Sequence, residues 1–79
     1  MNIYLLSQSV NSGYDTFDSC VVIATSEEEA RTITPGGDFG GRYAQRRWAN
    51  SPDQVTVELI GAALENAEKG VVLSSFNAG

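Results

Sequence analysis

Apolar residues recur at every second position in two stretches near the start of the chain, and a cluster of turn-forming residues separates them. In Asn2 to Ser9, Ile3 and Leu5 fall on one side of an extended chain and Tyr4 and Leu6 on the other. Side chains alternate across a strand, so this pattern predicts a strand covered at least partly on both sides, hence a central one. Asn11, Ser12, Gly13 and Asp15 follow, residues that accept turn and left-handed geometry. From Phe17 to Thr25 the alternation resumes, with Phe17, Val21 and Ile23 on one face and Cys20, Val22 and Ala24 on the other. Its β-branched content suits a pleated surface. Two strands joined by a tight reversal predict a hairpin, and every later element must pack on that hairpin.

A helix is predicted next. In Ser26-Glu27-Glu28-Glu29 the serine hydroxyl accepts from the Glu29 amide and the Glu29 carboxylate reaches back, while the acids meet the positive end of the helix dipole. Ala30 and Ile33 give an apolar stripe and Glu27 pairs with Arg31 one turn on. Pro35 bars a helical Thr34, so the helix is about two turns long. Pro35 to Asp53 reads as a long connection, with glycines around Asp38 and Phe39 and a helical turn possible between Gly41 and Ala49. Val55, Val57 and Leu59 alternate with Thr56, Glu58 and Ile60 as a half-buried strand ended by Gly61. Ala62 to Lys69 reads as a helical turn or a loop closed by Gly70, and Val71, Val72, Leu73 and Phe76 make a last strand. The order β-β-α-loop-β-β predicts an α+β fold, a largely antiparallel sheet of about four strands with one short helix packed on it.

With 79 residues the chain has room for one core, so residues 1–79 are expected to form a single domain. No apolar run is long enough to span a membrane, and no basic stretch leads an apolar one at Met1. The single cysteine, Cys20, allows no internal disulfide. A reducing cytoplasm is the expected setting.

The net charge is −5, distributed as −5 over residues 1–30, +3 over 31–48 and −3 over 49–79. An acidic whole with one basic island argues against direct nucleic-acid binding, whose footprint is a broad basic face. Histidine is absent, which removes the commonest general base and metal ligand. Cys20 lies mid-strand with no base to activate it and reads as core. Asp15 and Asp18 lack the spacing of a calcium loop, and the glycines from Gly36 to Gly41 lack the Gly-Lys-Ser/Thr ending and the strand-to-helix setting of a phosphate loop. No catalytic residue, metal or cofactor is expected.

Two clusters remain as candidate contacts. Arg42, Tyr43, Arg46, Arg47 and Trp48 combine the residue types enriched at binding hot spots. Alternatively Tyr43 and Trp48 pack on the sheet while the arginines pair with Glu27, Glu28 or Glu29. Asp15, Asp18, Glu27 and Glu28 form the second cluster, explained either by the turn and the helix cap or as an acidic surface that imitates nucleic-acid phosphates for a basic partner.

The segments beginning at Met1 (MNIYLLSQ), Gly13 (GYDTFDSCVV), Ser26 (SEEEAR) and Gly70 (GVVLSSFNAG) resemble a family of small phage and prophage proteins. The resemblance spans most of the chain and brings no catalytic residues with it. It implies an accessory factor, monomeric or homodimeric, that binds and disables a host protein or ribonucleoprotein complex in the bacterial cytoplasm. A CRISPR effector is the first such target, which makes an anti-CRISPR inhibitor the leading expectation. A small structural or assembly module of a phage particle is the alternative.

Overall fold

A computed structural model describes residues 1–35 and 47–77. In chain order they form β1 (Asn2–Ser7), β2 (Thr16–Ala24), α1 (Glu27–Arg31), a 3-10 turn (Pro52–Gln54), β3 (Thr56–Ala62) and β4 (Gly70–Asn77). The strands make a four-stranded sheet in the order β3-β1-β2-β4, antiparallel at every seam. This is the α+β arrangement the alternation predicts, with the first hairpin at its centre.

The hairpin register sets Tyr4 opposite Val22 and Leu6 opposite Cys20. Directly opposed residues share a face, so one side of the sheet carries Tyr4, Leu6, Cys20, Val22 and Ala24. All five are buried, in one cluster with Ala30 of α1 and with Trp48, Ala49 and Val55 from the segments flanking the 3-10 turn. A slip of one residue would turn Leu6 and Val22 out to the other face. Each loses about 1.5–3 kcal/mol of burial when fully exposed, so this register is strongly specified.

The opposite face carries Ile3 against Ile23 and Leu5 against Val21. These four are half-buried by their strand neighbours, and no helix or strand among the described residues lies over them. The cover expected on both sides of β1 is therefore found on one.

Three register shifts add one unpaired residue each: Asp18 in β2, Ile60 in β3 and Val72 in β4. The shift at Asp18 corrects the predicted facing of Phe17. Strict alternation groups Phe17 with Val21 and Ile23, but the extra residue rotates it onto the helix-bearing face, where it packs against the core. There its ring meets Phe76, with centroids 4.8 Å apart and planes tilted by 56°.

β3 is also corrected. It runs through Gly61 to Ala62, and it is an edge strand: Leu59 is 61% and Ile60 51% exposed. The reason is its place in the sheet: β3 has a strand neighbour on one side only, β1, which leaves these side chains open on the other. α1 is five residues long instead of the two turns predicted.

The cap of α1 forms with one change. Ser26 Oγ accepts from the Glu29 amide at 3.1 Å, but the Glu29 carboxylate reaches past Ser26 to the Thr25 amide at 2.8 Å and the Thr25 hydroxyl at 3.0 Å. Arg31 pairs with Glu27 at 3.3 Å as predicted, and its guanidinium also donates to the carbonyls of Pro52 and Val55. That strap fixes the helix over the entry to β3. Ser26→Ala is expected to cost about 1 kcal/mol through the lost cap, read as a lower urea midpoint with unchanged slope. An unchanged midpoint would show that the helix is held by packing alone.

Candidate partner-binding surface

The turn between β1 and β2 is held by an amide that belongs to the core-facing row. Tyr4, Leu6 and Gln8 follow one another at every second position, and Gln8 is buried. Its side chain donates to the carbonyls of Asn11 and Phe17, both at 2.7 Å, and accepts from the Asn11 amide at 2.9 Å. Three satisfied bonds let a polar group remain at the edge of an apolar core. Around it, Thr16 Oγ1 and Asn77 Nδ2 both donate to the Gly13 carbonyl, and the Asp15 amide donates to the Asn77 carbonyl at 2.7 Å. Asp15 holds a left-handed conformation with φ of 61°, which aspartate and asparagine tolerate better than most residues.

The return of the long connection is fastened to the same end of the sheet. The Phe17 amide donates to the Arg47 carbonyl at 2.7 Å, and Asn11 Nδ2 donates to the Trp48 carbonyl at 3.1 Å. The Arg47 guanidinium lies over the Phe76 ring, 5.9 Å from its centroid, and not against a helix glutamate. Trp48 is buried under the sheet, as the packing alternative for the aromatic island requires. Between the turn and the end of β4 is a crevice of about 330 Å³ walled by Gln8, Asn11, Thr16, Asp18, Phe76 and Asn77, among others.

Asp15, Asp18, Arg47 and Phe76 are thus brought to one end of the molecule, with both aspartates exposed. Glu27 and Glu28 are not brought there. They open α1 beyond the far end of β2, separated from Asp18 by most of that strand. At about 3.3 Å per residue the two acidic groups lie roughly 20 Å apart, beyond a Debye length at physiological salt. They cannot act as one charge cluster. Arg42, Tyr43 and Arg46 lie outside the described residues, as does the core of the glycine stretch.

The electrostatics of the described residues are lopsided. Nine acidic side chains face three cations, Arg31, Arg47 and Lys69. Arg31 is paired with Glu27 and Lys69 with Glu29 at 3.0 Å. The thiol of Cys20 is pushed up to about 12 by burial, which leaves it protonated and chemically quiet at neutral pH. Among the described residues no three His, Cys, Asp or Glu side chains converge as a metal site, and no helix is long and apolar enough to cross a membrane.

Glu29 is held below its ordinary value of 4.5, first by the Thr25 amide and then by the Lys69 ammonium. A carboxyl with a lowered folded-state pKa stabilises the fold above its unfolded pKa and loses that contribution as pH falls through the folded value. The urea midpoint of the wild type should therefore fall below about pH 4.5, and Glu29→Gln should flatten that acid limb. Parallel limbs would remove Glu29 from the linkage. Asp53, lowered chiefly by the Ser51 hydroxyl, contributes in the same sense.

Gln8, Phe76 and Asn77 escaped the reading of the sequence. A signal was present for Gln8, a polar amide continuing the core-facing alternation straight into a turn cluster. None was present for Phe76 and Asn77, whose neighbours at the turn come from the other end of the chain. No protein-family model, curated protein or solved structure matches the chain.

Proposed function

We propose that this chain is a non-enzymatic accessory protein that works by protein-protein contact, binding a host protein or ribonucleoprotein complex in the bacterial cytoplasm and blocking it. The observation that carries the reading is the acidic surface of the described residues, nine acids against three cations of which two are already paired, in a chain of ten acidic and five basic side chains. Effectors that grip nucleic acid do so with basic grooves, and an acidic protein competes for such a groove through long-range attraction and charge matching. The resemblance to small phage proteins points to a CRISPR effector as the target. Within this reading Asp15 and Asp18 make the electrostatic contact. Phe76 and Arg47 beside them supply the contact area and directed hydrogen bonding that acids alone lack.

The test is a plasmid-interference assay in a CRISPR-active host. Expression of the chain should rescue a targeted plasmid and leave an untargeted one unaffected. Unchanged interference across effector types, with the protein recovered in purified phage particles, would replace this reading with the structural-module alternative.

A further inference from the structure

Tyr14 stands in the turn between β1 and β2 and is 79% exposed, more than any other large apolar residue among those described. The other described aromatic rings are engaged. Tyr4 and Trp48 are buried, Phe17 packs against Phe76, and the Arg47 guanidinium lies over the Phe76 ring. The Tyr14 side chain makes no hydrogen bond, ring contact or cation contact among the described residues. The backbone that carries it is nevertheless fastened on both sides. The Gly13 carbonyl accepts from Thr16 Oγ1 at 2.7 Å and from Asn77 Nδ2 at 3.2 Å, and the Asp15 amide donates to the Asn77 carbonyl at 2.7 Å. A contact made through a fastened turn costs little ordering entropy. A large aromatic held in this way and left uncovered has the profile of a binding anchor.

We propose that this turn imitates a single-stranded nucleotide, the Tyr14 ring standing in for an unstacked base and the carboxylates of Asp15 and Asp18 for its phosphates. The inference rests on the inhibitor reading and names the kind of groove that the chain enters. A site that grips the backbone of a duplex offers cations to its phosphates. A site that holds a single strand adds aromatic rings or guanidinium planes on which bases stack. Only the second kind has a use for a free ring beside two acids. The Tyr14 ring face can also receive a guanidinium directly, so an arginine in such a groove is matched by the ring and by the neighbouring carboxylates together. Arg47 does not cancel these acids, since it is one guanidinium against two carboxylates and lies over Phe76.

The test uses the effector complex purified from a host in which the chain rescues a targeted plasmid. The probes are a fluorescein-labelled oligothymidine single strand and a labelled duplex of the same length. The wild type should displace the single strand and leave the duplex bound. Tyr14→Phe, which keeps the ring, should stay within about two-fold of the wild type, whereas Tyr14→Ser should need roughly five- to a hundred-fold more protein, the measured range for losing one stacked base. Neither change should move the thermal transition, because the side chain is exposed. Equal displacement by Tyr14→Ser and the wild type overturns the proposal. So does a Tyr14→Phe as weak as Tyr14→Ser, which would make the hydroxyl the contact, and so does displacement of the duplex alone or of neither probe. Failure of the inhibitor reading looks different: no host shows rescue at all, and this inference falls with it.

Discussion

Trp48→Ala is expected to bring the folded state close to collapse, with a loss of about 3–5 kcal/mol. A chain of 79 residues has roughly 4–12 kcal/mol of stability in total, so this one change removes a large fraction of it. The indole is 1% exposed and is the largest fully buried side chain among the described residues, clustered with Leu6, Cys20 and Val22 of the central hairpin. Its backbone is pinned by Asn11, so the hole cannot close by moving the loop inward without breaking that bond. Trp48→Phe should be far milder. The indole Nε1 has no hydrogen-bond partner among the described residues. A phenyl ring removes that buried donor, and the relief of about 1–3 kcal/mol offsets much of the lost volume. Trp48 is the only tryptophan, so unfolding must be followed by far-UV circular dichroism and not by intrinsic fluorescence. A Trp48→Ala midpoint equal to the wild type would place the indole outside the core.

The second large effect concerns function. Asp15→Asn together with Asp18→Lys should weaken partner binding by roughly thirty-fold to several thousand-fold and abolish plasmid rescue, since an unmatched charge at a contact costs about 2–5 kcal/mol. Asparagine is chosen at Asp15 because the φ of 61° would strain a lysine there. Both positions are exposed, so the melt should move by no more than about 0.5 kcal/mol. Glu28→Lys, at the distant helix start, should leave rescue intact and cost a few tenths of a kcal/mol through the dipole. Rescue lost with Glu28→Lys and kept with the turn pair would move the contact to the other end of the molecule.

Both predictions depend on how far each residue could be placed from the sequence. Trp48 was legible as an anchor because a chain this short needs its large aromatics inside. The aspartates were legible as exposed acids in and beside a turn. Their neighbours were not, because Arg47 and Phe76 approach them from positions about thirty and sixty residues away.

The sequence by itself determined the elements. The period-two runs of the first hairpin, the turn cluster between them, the Ser26 cap with its acids and the stop before Pro35 each depend on contacts within a few residues. Such local preferences can be read without knowing what lies opposite. The tertiary structure decided the rest. Which strands became edges exposed Leu59 despite its regular alternation. The extra residue at Asp18 moved Phe17 to the face opposite the one its spacing predicted. The length of β2 drove apart two acidic groups that look adjacent on the line of the chain. Each outcome is set by pairing between distant segments, and hydrophobic burial and sheet hydrogen bonding reward that pairing only once both partners are in place.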